Sequence, residues 1–147
     1  NVIYRIDPKR ENISRSRELK EITRWFVVLM AVMVQFVIVL SGIGMDINVG
    51  SMVSLPIALM FVAAGNYLPK CRQNYTMGIK LPWTLADEDN WNRTHRMAGY
   101  VWTAGGILML IMGFFHLASL FFLVLMAMVL IPSVYSYLIY RKKLKGI

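Results

Sequence analysis

The stretch MAGYVWTAGGILMLIMGFFHLASLFFLVLMAMVLIPSVYSYLIY, Met97 to Tyr140, decides the fold of this chain. It contains no Asp, Glu, Lys or Arg, so it reads as a segment buried in hydrocarbon. A single helix of about 40 residues would run about 60 Å, twice the ~30 Å thickness of a bilayer core. A hairpin at His116 to Ser119 removes the mismatch and gives two spans, Met97 to His116 and Ser119 to Tyr140.

Two further runs of spanning length lie upstream, Trp25 to Gly44 and Val49 to Leu68. Of the 147 residues, 57% are hydrophobic and only 16% charged, with mean hydropathy +0.53, which excludes the soluble globular class. The expected fold is all-α: a polytopic transmembrane bundle of four spans. A leader covers residues 1–24, and a loop over 69–96 with a short interfacial helix separates spans two and three.

Sidedness follows from the basic residues, which accumulate in short cytoplasmic connections. The leader carries Arg5, Lys9, Arg10, Arg15, Arg17, Lys20 and Arg24; the middle loop Lys70, Arg72, Lys80, Arg93 and Arg96; the tail Arg141, Lys142, Lys143 and Lys145. These are all 16 Lys and Arg, so both termini and the loop are expected in the cytoplasm. The other side holds only the turns near Met45 to Asn48, with Asp46, and near His116. The net charge of +8 flanks spans rather than forming one basic stripe, so direct nucleic-acid binding is not expected, and anionic headgroups explain the charge better.

The leader has a turn at Asp7 and Pro8 and then an amphipathic helix from Ser14 or Ser16, with Ile13, Leu19, Ile22 and Trp25 toward the headgroups. No signal-peptide cleavage pattern follows the first run, and a first residue Asn1 instead of Met suits a chain that starts partway through a longer protein. Within the spans, Gln35 is expected to bond to a neighbouring helix, Pro56 and Pro132 to kink theirs, and Gly105, Gly106 and Gly113 to allow close helix approach. No Asp, Glu, Lys or Arg lies deep in any span, which counts against a proton-coupled or ion-coupled transporter; His116, at an outer end, suits a capping or interfacial role. The single Cys71 reads as a bystander thiol.

The loop divides in two. Ile79, Leu81, Trp83 and Leu85 alternate after Gly78 and around Pro82, which predicts an extended, strand-like piece with Trp83 at the interface. Thr84 then suits a helix N-cap, with Asp87, Glu88 and Asp89 in the first turn, Asp89 paired to Arg93, and Trp91, His95, Ala98 and Trp102 along one side. His95 beside Asp87 or Asp89 superficially suggests acid–base chemistry. However, no nucleophile elbow or metal-ligand spacing accompanies it, so neither an enzyme nor a cofactor or metal site is expected.

Residues 65–99, GNYLPKCRQNYTMGIKLPWTLADEDNWNRTHRMAG, resemble the signature segment of the SdpI family of bacterial membrane proteins. The matching positions are Gly65, Asn66, Pro69, Asn74, Gly78, Ile79, Lys80, Pro82, Trp83, Thr84, Leu85, Trp91, His95 and Arg96, with Lys80 standing where Arg is common. RIDPKREN, Arg5 to Asn12, is similar to the segment after an N-terminal pair of spans in longer members, which implies an intact protein of six spans with this chain as its last four. The resemblance implies an immunity or signalling protein of the bacterial cell membrane, protecting against a secreted membrane-active peptide toxin. Its implied partners are the lipid bilayer, the toxin and a repressor held at the membrane. In that reading Trp83, Trp91, His95 and Arg96 fix the loop, while Lys80 and the turn Asp87 to Asp89 meet a partner; Asn66, Asn74, Gly78, Pro82 and Thr84 complete the set. The alternative is a small transporter or permeation subunit with a cavity around Gln35, Pro56 and Asn66.

Overall fold

A computed structural model describes residues 17–115, 117 and 120–146, with the backbone alone at 17–19 and 51. The expected helix from Ser14 or Ser16 and the cap at His116 therefore fall partly or wholly outside the described residues. Four long helices appear where the apolar runs are: α1 (Arg17–Gly42), α2 (Val49–Tyr67), α4 (Glu88–Phe114) and α5 (Phe121–Leu144). Each is long and apolar enough to cross a membrane. Between α2 and α4 lie a 3-10 turn (Leu68–Lys70) and the short helix α3 (Pro82–Ala86). The all-α expectation holds, with no strand among the described residues.

The long run at Met97 to Tyr140 does break into two helices, and side chains fix their pairing. Trp102 on α4 donates its indole N–H to the Met128 carbonyl at 3.0 Å, while nearer the start of α4 Asn90 bonds Ser136. As α4 numbers fall, α5 numbers rise, so the pair is antiparallel. A core of Ala58, Met109 and Met128 sits between α2, α4 and α5, flanked by Phe61 edge-on to Trp102 at 5.2 Å.

Small residues set the spacing of α2 and α4. A Cβ on Gly65 would stand 2.6 Å from the Thr103 amide nitrogen, and one on Gly106 would stand 2.8 Å from the Val62 nitrogen. Both obstacles are backbone, which cannot swing aside, so the glycines let the helices approach to contact. Gly105 instead faces Met128 of α5, and Gly113 faces Leu55. Both α2 and α5 remain helical through Pro56 and Pro132, and both prolines are buried.

Two local expectations are corrected. The segment around Ile79 to Leu85 is not strand-like. Pro82 occupies the first turn of α3, where its missing N–H costs nothing, and the helical turn carries Trp83 toward α5. Nor is Thr84 the N-cap of the long helix. That role belongs to Asp87, whose carboxylate accepts the Asp89 N–H at 3.1 Å. Gln35 also departs from expectation: its side chain is exposed and borders a shallow depression lined by Ala31, Val32, Phe36 and Val39, all of α1. Among the described apolar residues of α1 only Val37 is buried, so this helix rests on the bundle by a narrow seam.

Candidate functional site

The chain between α2 and α4 folds back over the first turns of α4 and is stitched there by buried polar side chains. Asn74, fully buried, accepts the amides of Thr76 at 2.9 Å and Met77 at 2.6 Å and donates to the Arg72 carbonyl at 2.7 Å. One side chain thus satisfies three backbone groups of a tight turn. Gly78 follows with φ +105°, a conformation that L side chains rarely adopt, and its bare Cα lies against the rings of Trp91 and His95. Gln73 reaches to α3, donating to the Thr84 and Leu85 carbonyls at 2.8 Å each. Thr84 closes the segment from within: its hydroxyl accepts the Leu81 N–H and lies 2.9 Å from the Ile79 carbonyl.

The other half of this clamp is the buried face of α4. Trp91 donates its indole N–H to the Cys71 carbonyl at 2.8 Å, and its ring stacks on His95 with centroids 4.0 Å apart. His95 has both nitrogens engaged by backbone. Nδ1 lies 2.8 Å from the Trp91 carbonyl, so it carries the proton, and Nε2 accepts the Ile79 N–H at 2.9 Å. The imidazole is therefore neutral as a hydrogen-bonded spacer. It faces no carboxylate, which removes the acid–base pair suggested by sequence, since Asp87 and Asp89 turn instead to Lys143 at 2.6 and 2.9 Å.

A third element, α5, is tied in through Trp83 and through Asn90, Thr94 and Ser136, which the sequence pattern does not single out. The Asn90 carbonyl oxygen accepts both the Ser136 hydroxyl at 2.9 Å and the Thr94 hydroxyl at 3.0 Å, and its amide donates to the Ser136 carbonyl at 3.1 Å. Trp83 donates its indole N–H to the Ser136 hydroxyl at 2.9 Å and stacks on Tyr140. Ser136 thus serves α3 and α4 at once. The only sequence sign of this cluster is Asn90 and Thr94 four residues apart beside the Trp91 and His95 stripe. Among the described residues, no buried side-chain nitrogen or oxygen is left without a hydrogen bond.

The predicted site residues consequently separate. Asn74, Gly78, Thr84, Trp91 and His95 face inward, Pro82 starts α3, and Trp83 bridges to α5. Lys80 is exposed, its ammonium over the Tyr75 and Thr76 carbonyls at 3.5 and 3.4 Å. Arg96 is exposed too, and lines a groove with Arg93, Met97, Tyr100 and Tyr135 instead of fixing the loop. Asn66 stands apart, exposed near the end of α2. The residues expected around a transport cavity are not gathered into one: Gln35 and Asn66 are exposed, while Pro56 is buried within α2.

Residues 70–136 match the SdpI/YfhL protein family. The chain is also 27% identical over 122 residues to a protein of Bacillus subtilis (strain 168) named Immunity protein SdpI. Over these residues the chain is similar to the SdpI family. The alignment covers 82% of this chain and 59% of that relative, so the chain spans less than two thirds of the relative's length. No solved structure matches. The SdpI family match begins at Lys70 and ends at Ser136, so it contains the clamp and its anchor on α5.

Proposed function

We propose that this chain forms the membrane core of an immunity protein that protects a cell from a secreted, membrane-active peptide toxin, and that the clamp is the part through which it acts. One observation carries the reading: the residues matching the family include those that build the clamp and bind it to α5, and the similar B. subtilis protein is named for immunity. The buried polar side chains fix one shape for the segment, and that shape presents Arg72, Tyr75 and Lys80 outward. The basic residues around it support a cytoplasmic position for this end. In that position the outward surface meets a protein partner such as a membrane-held repressor, and the toxin acts through the spans. The inward residues are then positioning groups, and their loss disables protection by misplacing that surface.

The test is survival of a toxin-sensitive host that expresses the chain, with alanine substitutions across residues 74–96. Trp83→Ala is expected to abolish protection while leaving the protein inserted. Full protection by an inserted, folded Trp83→Ala protein overturns the assignment.

A further inference from the structure

On the face of α4 and α5 away from the clamp's buried rings runs a groove that the immunity reading does not use. Arg93, Arg96, Met97 and Tyr100 supply one wall, at the i, i+3, i+4, i+7 spacing of a single helix face. Tyr135, Leu138, Ile139 and Lys142 supply the other at the same spacing, joined by Arg141 and Lys145. Two cavities, of about 450 and 270 Å³, share Arg93 and Tyr135 and so form one trough. Its charged end holds five cations. Arg93 is paired with Asp89 at 3.0 Å, and Lys143 takes up Asp87 and the other Asp89 oxygen; no ion pair among the described residues involves Arg96, Arg141, Lys142 or Lys145.

Beyond the tyrosines the character changes. A third depression, of about 360 Å³, continues from Tyr135 and Leu138 along Val134, Ile131 and Leu130, with no charged group in its lining. Along α5 the cations Lys145, Lys142 and Arg141 therefore stand at one end and Ile139, Leu138, Val134, Ile131 and Leu130 follow, with Tyr135 among them, so a charged end leads into an aliphatic track as a phosphate leads into an acyl chain in a phospholipid. We propose that this trough binds an anionic phospholipid, its phosphate held by Arg96, Arg141 and Lys142 and one acyl chain lying on Leu130, Val134 and Leu138. Arginine suits the role because its planar fork binds phosphate oxygens in pairs.

The test is native mass spectrometry of the full chain released from micelles containing equimolar phosphatidylglycerol and phosphatidylcholine. The wild type is expected to retain phosphatidylglycerol in preference. The triple variant Arg96→Gln, Arg141→Gln, Lys142→Gln is expected to bind it more weakly by about 5-fold per charge removed, from roughly 1 kcal/mol per basic residue. A control with the same charge loss elsewhere, Lys70→Gln, Arg72→Gln, Lys80→Gln, is expected to keep the wild-type preference. Equal loss in both variants means diffuse surface attraction and overturns the site, as does a wild type without headgroup preference. Displacement of the lipid by millimolar inorganic phosphate overturns the lipid assignment in favour of a phosphate-ion site, whereas persistence of the lipid, together with weaker retention in Leu138→Ser, supports it.

Discussion

Replacing Gly78 by Ala tests the clamp at its most constrained point. Gly78 has φ +105°, and a Cβ there would strike the His95 Nε2 and stand 2.9 Å from the Trp91 Cζ2. Two costs follow. Holding an L residue in left-handed backbone costs roughly 1–2 kcal/mol. Pushing the imidazole away from the Ile79 amide leaves a hydrogen bond unmade in a largely enclosed site, at roughly 1–3 kcal/mol. The sum is roughly 2–5 kcal/mol, large for one methyl group. Gly44 provides the internal control, because it has φ +83° and a Cβ there would meet nothing within 4 Å, so Gly44→Ala carries the backbone cost alone. Reversible unfolding in mixed dodecyl maltoside and dodecyl sulfate micelles, followed by tryptophan fluorescence, measures both. A Gly78→Ala value within about 0.5 kcal/mol of Gly44→Ala refutes the collision and, with it, the closed packing of Gly78 on His95.

Other substitutions separate buried from exposed contacts. Asn90→Ala and Ser136→Ala are expected to be non-additive, with a coupling of roughly 1–3 kcal/mol in a double-mutant cycle of micellar unfolding, because each side chain satisfies the other. Gly106→Ala is expected to destabilise by about 1–3 kcal/mol, since the new methyl meets the Val62 and Ala58 backbone, while Gly113→Ala, whose nearest neighbours are the Leu55 side chain at 3.2 Å and the Ser54 hydroxyl at 3.6 Å, costs less in the same assay. Lys143→Gln is expected to leave the unfolding midpoint nearly unchanged at high salt, as its pairs with Asp87 and Asp89 are solvent-exposed.

The long helices are legible because hydrocarbon imposes a length and a composition that few other structures share. Gly105, Gly106 and Gly113 are legible as close-approach positions for the same kind of reason: a missing side chain in a span leaves room only for another helix. The loop is harder. Ile79 to Leu85 alternates like a strand, yet Pro82 favours a first helical turn and Trp83 finds its hydrogen-bond partner 53 residues away at Ser136. Local pattern cannot register such a partner. Asn90 and Gln73 carry little local signal for the same reason, their bonds spanning 46 residues and 11 to 12 residues. Gln35 fails in the opposite direction: its chemistry asks for a partner, but the rotation of α1 turns the amide outward.

The clamp contains a reporter for its own opening. Cys71 is 3% exposed, its sulfur 3.8 Å from the Asn74 amide nitrogen and its carbonyl held by Trp91. A maleimide reaches that thiol only when the turn 71–79 lifts, so labelling is slowed in proportion to the closed population when opening and reclosing are fast. The strain introduced by Gly78→Ala acts on the closed state and is relieved on opening. Its roughly 2 kcal/mol minimum therefore predicts labelling faster by about 30-fold, at 1.4 kcal/mol per factor of ten. Asn74→Ala, which removes three backbone bonds of the same turn, is expected to accelerate labelling as well. Lys80→Gln, on the outer surface, is not. If Gly78→Ala lowers global stability yet leaves the labelling rate at the wild-type value, the turn does not open as a local unit, and the clamp moves only when α4 and α5 separate. If the wild-type thiol reacts as fast as a small-molecule thiol, the clamp is open in the membrane. A rate between those limits that rises with Gly78→Ala and Asn74→Ala gives the clamp an opening free energy, the quantity a partner binding its outer face would have to change.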